Sequence, residues 1–418
     1  MTVAVRPEVV SEAISRVKSN GGSPGVDGMT VRELDTFWRS HGEKICRVLV
    51  SGDYIPRPVR RVTIPKPDGG ARELGVPTVV DRVVQQMLLI VLEPRFEAQF
   101  SDASYGFRPN RSAHGAVKKA KEHVASGLEW VVDIDLERFF DRVNHDVLMS
   151  RLALRISDRR VLKLIRRFLS SGVMLNGVVW DREEGTPQGG PLSPLLANAL
   201  LDDFDKELER RGLHFVRYAD DCNIYVGSER AAARVLETAT NFLEVKLRLR
   251  VNRLKSASAR VSERRFLGFT ICRYDKGAYV KISDKSLKRF KDEIRNRSSR
   301  VRRIRKEEFM GELNRFMTGW AGYYAPCVSG KEQLDRLDWW IRRRVRQWLW
   351  VGWKTPRKRY WHLIQAGIPG DQARKTASTH SAWRASGHRC VECCINNSRI
   401  AKAGLTSLLD HKKRLATL

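Results

Sequence analysis

Two adjacent carboxylates, Asp220 and Asp221, stand where two alternating apolar runs meet in Phe215-Val216-Arg217-Tyr218-Ala219-Asp220-Asp221-Cys222-Asn223-Ile224-Tyr225-Val226. That pattern predicts a tight β-hairpin with the acids at its tip. Successive side chains of a strand point to opposite faces, so neighbouring carboxylates can approach one site only where the backbone turns. A further acid, Asp135, closes the apolar strand Trp130-Val131-Val132-Asp133-Ile134, after which Leu136-Glu137-Arg138-Phe139-Phe140 break toward a helix. A strand end beside a hairpin tip can share a metal site with it. Carboxylates converging in this way hold Mg²⁺ ions about 3.5–4 Å apart, where the ions clamp the attacking and leaving oxygens of a phosphoryl transfer. The chemistry expected of Asp135, Asp220 and Asp221 is therefore nucleotide polymerisation. Asp133, one pleat from Asp135, faces the same side and ranks below it as support.

An Asp-Asp pair in a turn is ordinary by itself, because Asp tolerates turn geometry and solvates well. Its surroundings carry the argument. Helical spacing over 8–20 stops at Asn20-Gly21-Gly22. The stretch Arg60 to Gly75 reads as a β-hairpin through Lys66-Pro67-Asp68-Gly69-Gly70, with cations on both arms. An apolar helix is expected from Asp81 to Phe96, ending near Pro94, and another from Ala113. Asn144 should cap a helix carrying Val147, Leu148 and Leu152. Ser193 at the N-cap and Pro194 at the first helical position should start a helix that ends at Gly212. Just before it, Gly185-Thr186-Pro187-Gln188-Gly189-Gly190 offers small residues that admit close backbone approach, and Gln188 can donate and accept hydrogen bonds. A further helix is expected from Ala231 to Leu247.

The chain has 418 residues, enough for two or three domains, and carries 77 Lys and Arg against 48 Asp and Glu, a net charge of +29. Such a surplus favours a polyanionic partner, because neutralising phosphates releases counterions. No apolar run reaches transmembrane length, and the N-terminus lacks a signal-peptide pattern, so a cytoplasmic protein with no membrane partner is expected. Seven Cys scattered along the chain do not form a disulfide framework. Between Lys285 and Lys306 there are eleven Lys or Arg against two acids, and eight of the 11 Trp lie at or beyond Trp320. Most of these Trp should anchor a small helical domain, with some free to stack on bases. The run Asp338-Trp339-Trp340-Ile341-Arg342-Arg343-Arg344-Val345-Arg346-Gln347-Trp348 reads as a helix with an outward Arg stripe. In the tail, Cys390 and Cys393 invite a zinc reading, but no second Cys pair or His pair at ligand spacing accompanies them, and a structural or free-thiol role is expected.

Tyr218-Ala219-Asp220-Asp221, preceded by Asp135 with Phe140 and by Gly185 to Gly190, looks like the palm of a reverse transcriptase. Ser23-Pro24-Gly25-Val26-Asp27-Gly28, Ser104-Tyr105-Gly106-Phe107-Arg108-Pro109-Asn110-Arg111-Ser112 and Phe266-Leu267-Gly268-Phe269 follow in the order of group II intron reverse transcriptases. The segment beyond 275 is similar to the thumb, or maturase domain, of intron-encoded proteins. The whole resembles a bacterial group II intron-encoded reverse transcriptase and maturase lacking the endonuclease domain.

That resemblance implies an α+β fold: right-hand polymerase fingers and palm, then an α-helical thumb (maturase) domain. It implies an N-terminal extension and start of fingers over 1–60, fingers and palm over 61–275, the helical domain over 276–370, and a short basic C-terminal region over 371–418 with DNA binding as its candidate role. Asp135, Asp220 and Asp221 match the catalytic acids and, with Leu136, hold two Mg²⁺ ions. Lys255 matches the Lys that assists the leaving pyrophosphate. Lys66 and Arg72 match a phosphate-binding pair on the fingers, Leu136 and Gln188 contact the dNTP, and Phe140 is the steric gate against a ribose 2′-OH. Arg108 and Arg111 are expected on the template, and Arg342, Arg343 and Arg346 on RNA. The implied partners are group II intron RNA, an RNA template with a DNA primer, target DNA and dNTPs. Two other readings stay open: a non-catalytic RNA-binding splicing cofactor, and a domesticated reverse transcriptase without an intron.

Overall fold

The computed structural model describes residues 1–65, 70–175, 178–180, 184–186, 189–275, 277–299 and 304–417. It divides into two compact units, Met1–Arg260 and Val261–Leu418. The division falls at Arg260, ahead of the boundary expected at 275. The hairpin after Arg260 bonds to the helices that follow it, through Tyr323 Oη to the Leu267 carbonyl (3.0 Å) and the Ser329 amide to the Val280 carbonyl (2.8 Å).

The first unit runs α1 (Pro7–Asn20), α2 (Leu34–Ser51), β1 (Val59–Pro65), β2 (Ala71–Val76), α3 (Val79–Glu97), α4 (Ala113–Ala125), β3 (Trp130–Ile134), α5 (His145–Ala153), α6 (Arg159–Ser170), β4 (Val173–Leu175), β5 (Val178–Trp180), α7 (Ser193–Arg210), β6 (His214–Tyr218), β7 (Asp221–Val226), α8 (Glu229–Asn241) and β8 (Ala257–Arg260). One sheet has the order β2-β1-β4-β5 and the other β6-β7-β3-β8. In the second sheet every neighbouring pair is antiparallel, and β3 is bonded on both sides, which suits its nearly continuous apolar sequence. Helix α8 lies against β3, β7 and β8. The core joins Val83, Met87 and Leu88 of α3 to Leu196, Leu200 and Phe204 of α7 and to Val132, Ile134 and Ile224 of the sheet.

Local signals place most ends where the sequence puts them. Gly21, at φ 62°, stops α1, and the Asn144 side chain accepts from the Val147 amide at the start of α5. Two ends differ. Helix α3 continues through Pro94 to Glu97, because in a last turn Pro removes an amide bond without obstructing many turns beyond it. Helix α7 begins at Ser193 with Leu192 as N-cap, and the cap makes no side-chain bond.

The second unit opens with the hairpin β9 (Phe269–Tyr274) and β10 (Gly277–Ile282). It continues with α9 (Asp284–Arg297), α10 (Lys306–Tyr324), α11 (Glu332–Gly352), α12 (Pro356–Gln365), α13 (Gly370–Ala377), α14 (Ala382–Ser386), α15 (Arg389–Cys394), α16 (Asn397–Lys402) and α17 (Leu408–Ala416). Aromatic rings tie the long helices together: Phe309 stacks on Trp348 at 4.2 Å, and Phe290 tilts against Trp320 at 4.1 Å. The basic tail over 371–418 packs into this unit. The buried Asp338 carboxylate accepts from Ser407 Oγ (2.6 Å) and the Leu408 (2.9 Å) and Leu409 (3.1 Å) amides, which fixes the start of α17.

This packing corrects the outward Arg stripe. Arg346 is 4% exposed and donates to the Ile395 carbonyl (2.9 Å), Asn397 Oδ1 (2.9 Å) and Glu392 Oε1 (3.2 Å). Arg343 donates to the Trp383 carbonyl (3.1 Å) with its guanidinium 4.0 Å from that ring, and Arg344 donates to Ser298 Oγ (2.7 Å). Arg342 is half-buried. The short helices α14 to α16 lie across this face of α11, and their pattern is too brief to show in periodicity. Arg346 is thus a structural residue and not an RNA ligand.

Removing a buried, fully bonded cation strands its acceptors, so Arg346→Ala should lower stability by about 2–4 kcal/mol. Arg342→Ala should change it by less than about 0.5 kcal/mol. Urea unfolding followed by helical circular dichroism checks both, and equal stability of the two variants contradicts the packing described.

Candidate active site

The hairpin of β6 and β7 closes at the pair Tyr218↔Asp221, leaving Ala219 and Asp220 as its two-residue turn. Ala219 has φ 57°, the left-handed value that two-residue hairpins prefer at their first turn position and that a non-glycine residue adopts only under constraint. The constraint is Arg217, 1% exposed in the strand just before. Its Nε donates to Asp205 Oδ1 (2.7 Å) and one Nη to the other oxygen of that carboxylate. The same Nη donates to Ser104 Oγ (2.8 Å), and the second Nη donates to Asn198 Oδ1 (2.9 Å) and to the Ala219 carbonyl (2.9 Å). All of the guanidinium's five donors are thereby used. Burial pushes the Asp205 carboxyl above its ordinary range, and the Arg217 charge pulls the other way.

A loop braces the same turn. Ser104 bridges Arg217 in parallel, the Tyr105 amide donates to the Arg217 carbonyl (2.8 Å), and Asn198 Nδ2 donates to the Gly106 carbonyl (2.8 Å). A Cβ on Gly106 would lie 2.2 Å from the Ala219 amide nitrogen, so only glycine fits beside the tip.

Asp135 reaches the same sheet end from the neighbouring strand. The register Ile134↔Cys222 sets Asp135 just after one member and Asp221 just before the other. The Asp135 amide donates to Ser256 Oγ (3.0 Å) and its carbonyl accepts from the Asn252 amide (2.9 Å). Leu136 bridges Val251, so this backbone is held on the side away from β7. Lys255 Nζ lies 3.5 Å from Asp135 Oδ1. Asp133, paired with Asn223, is half-buried one pleat back.

The backbones of the acids thus share one sheet end, but among the described residues no three Asp, Glu, His or Cys side chains are grouped closely enough to hold an ion. The metal set Asp135, Leu136, Asp220 and Asp221 is therefore juxtaposed and not gathered. Carboxylates brought close repel one another, and Asp135 meets the Lys255 ammonium. An oxygen-only donor set of this kind suits a hard cation such as Mg²⁺.

A cavity of about 640 Å³ lies beside the turn, lined by Asp220, Phe140, Phe107, Arg82, Gln86, Gly189, Gly190 and Ser193 among others. Phe140 is half-buried, edge-on to Phe139 (5.2 Å) and to Phe107 (6.5 Å), whereas Phe139 is core at 3% exposed. Its carbonyl accepts from the Thr186 amide (2.6 Å), which ties the segment around Gly185 to the cavity wall. Phe107 and Arg82 are cavity residues that the sequence did not single out as such. The only signal for Arg82 was a charge inside an apolar helix; it donates to the Gly21 (3.0 Å) and Ser23 (2.8 Å) carbonyls and so closes one side.

Other expected contacts fare differently. Lys66 and Gln188 lie outside the described residues, and for Arg72 only the backbone is described, opposite Ile64. Arg108 is corrected: it is 7% exposed, forks onto Glu97 (2.9 and 2.7 Å) and donates to the Ser104 carbonyl (2.8 Å), so it braces the loop and cannot reach a template. Arg111 stays nearer the surface, bonded to Asp102 at 2.6 Å over the Tyr105 ring.

Comparison with known proteins finds two successive family matches, the first of which runs eleven residues past Arg260. Residues 64–271 match the family model "Reverse transcriptase (RNA-dependent DNA polymerase)", and residues 287–367 match "Group II intron, maturase-specific domain". Protein YkfC of Escherichia coli is 33% identical over 303 residues, 63% of this chain and 80% of that protein. Group II intron-encoded protein LtrA of Lactococcus lactis is 37% identical over 214 residues, 51% of this chain but 35% of its own length. A 91 kDa protein in the cob intron of Schizosaccharomyces pombe is 35% identical over 204 residues, 47% of this chain and 24% of that protein.

Because Arg217 satisfies its partners as a fork, neither Ala nor Lys can replace it. Arg217→Ala should cost about 3–5 kcal/mol by leaving Asp205 buried and unpaired, and Arg217→Lys nearly as much. Urea denaturation measures both; a Lys variant as stable as the parent would show that the fork is not what holds the turn.

Proposed function

We propose, for a chain that belongs to the family of group II intron-encoded reverse transcriptases and maturases, that it copies RNA into DNA and binds its parent intron RNA to assist splicing. The observation that carries the catalytic part is the register that puts Asp135 and Asp221 side by side at one sheet end with Asp220 on a braced turn. The substrates are an RNA template, a DNA primer and dNTPs, and copying into target DNA accounts for intron mobility. Among the described residues no helix is long and apolar enough to cross a membrane.

Two Mg²⁺ ions, when bound by Asp135, Asp220, Asp221 and the Leu136 carbonyl, would supply the charge that activates the primer hydroxyl and neutralises the triphosphate. The protein's own groups do the rest. The cavity beside Asp220 takes the incoming nucleotide, with Gly189 and Gly190 giving close backbone approach. Phe140 stands on its wall where contact with a ribose 2′-OH excludes ribonucleotides. Lys66 and Arg72 neutralise the phosphates from the β1–β2 hairpin, and Gln188 bonds to the sugar or base. Lys255, mobile on the surface and already drawn to Asp135, gives charge or a proton to the leaving pyrophosphate. Arg111 remains available to a template phosphate once its exposed pairing with Asp102 is exchanged.

Asp220→Asn keeps the shape of the turn and removes one charge, so primer extension on an RNA template should fall by at least about 10³-fold while RNA binding persists. Extension near the parent rate rules out the assignment of the acids. Phe140→Ala should erode the preference for dNTP over rNTP in single-nucleotide incorporation; an unchanged preference makes Phe140 a packing residue only.

A further inference from the structure

Arg343, Arg344 and Arg346 of α11 are spent inside the second unit, yet the same unit presents cations elsewhere. Lys354, Arg357 and Lys358 are all exposed at the start of α12, and Trp361, one turn on, is 57% exposed. Ile364 follows at 37% exposure. Spacings of three and four residues put Arg357, Lys358, Trp361 and Ile364 near one helical face, and Lys354 stands just ahead of the N-cap Thr355. From Trp353 to Gly370 the sequence contains no Asp or Glu, and no ion pair engages the three cations among the described residues. Cations in a first turn do nothing for the helix itself, whose dipole favours acids there.

Trp361 is not loose. It stands edge-on to His362 (4.9 Å, 77°), which stacks on Trp353 (4.1 Å, 19°), which in turn tilts against the fully buried Trp350 (5.7 Å). An aromatic ladder therefore runs from the core to the surface and ends in an indole with an open face. A large apolar ring held out in water beside unpaired cations has one fitting partner: a chain of phosphates carrying flat bases. Duplex bases are already stacked on one another, so the ring can accept only an unpaired base.

We propose that the face of α12 formed by Arg357, Lys358 and Trp361, together with Lys354 just ahead of the helix, binds single-stranded RNA, with Trp361 stacking on one unpaired base and the cations tracking the adjacent phosphates. This names the contact surface for the RNA partner proposed above and rests on that reading.

The test uses the full chain with two probes, an unstructured single-stranded RNA oligonucleotide and a blunt RNA duplex of the same length. Trp361→Ala should weaken single-strand binding by about 5- to 150-fold and leave duplex binding unchanged, and Trp361→Phe should retain most of the affinity. The double change Arg357→Ala with Lys358→Ala should flatten the single-strand salt dependence by about 0.7 in log-log slope per lost contact. The Phe variant controls for folding, because it keeps a ring at the same place. Parent-like single-strand affinity in Trp361→Ala, or an equal loss on the duplex, overturns the proposal and leaves this face to a protein partner or to solvent. Failure of the reverse transcriptase reading is seen separately, as absence of primer extension by the parent protein.

Discussion

The hairpin that carries Asp220 depends on one buried ion pair. Arg217 and Asp205, 1% and 0% exposed, sit in a region where an isolated charge would be prohibitive. Their attraction offsets desolvation only because the remaining donors also find acceptors: Ser104, Asn198 and the Ala219 carbonyl. Such a network is all or none. Losing any acceptor leaves a buried N–H unpaired, and the left-handed Ala219 loses the bond that holds its carbonyl. The turn, the loop through Gly106 and helix α7 are consequently fixed to one another by polar geometry, where apolar packing alone would tolerate a shift.

A basic protein must decide which cations it keeps for itself. Here Arg108, Arg217 and Arg346 are each forked or bonded in the interior, at 7%, 1% and 4% exposure. They rigidify elements around the Asp220 turn and in the helical unit and contribute nothing to phosphate contact. The net charge of +29 is carried outward by other residues, such as Lys354, Arg357 and Lys358, which are exposed and have no acid near them in sequence. Counterion release requires charges that water and salt can reach, so only this second class can set the salt dependence of binding.

Much of the catalytic unit was legible because its signals are local. Alternation about Asp220 and Asp221, Gly21 after a periodic run and Asn144 ahead of another each specify a conformation within a few residues. Burial of an individual Arg is not local. Arg217 reads like any charge in a strand until Asp205 and Ser104, distant in sequence, are brought to it. Arg346 reads as surface because its cover is made of helices too short to show a period, and the unit boundary moved to Arg260 because long-range bonds from Tyr323 and Ser329 claim the β9–β10 hairpin. Phe107 and Arg82 joined the cavity in the same way, through folding of separate segments onto Phe140 and Asp220.

The acids themselves are the feature that stability alone would not retain. Asp135 follows Ile134 and Asp221 precedes Cys222, residues 1% and 3% exposed, so the backbones of the two acids meet at one sheet end and bring like charges into one neighbourhood. An amide or hydroxyl at either place would keep the register and remove the repulsion. The Lys255 ammonium, 3.5 Å from the 40% exposed Asp135 carboxylate in water, offsets little of that repulsion. Against this, the chain invests a buried five-donor network and a glycine with no room for a Cβ to hold Asp220 at the tip. A local arrangement that opposes stability, supported by a rigid arrangement that exists to hold it, is the physical signature of a site kept for its chemistry.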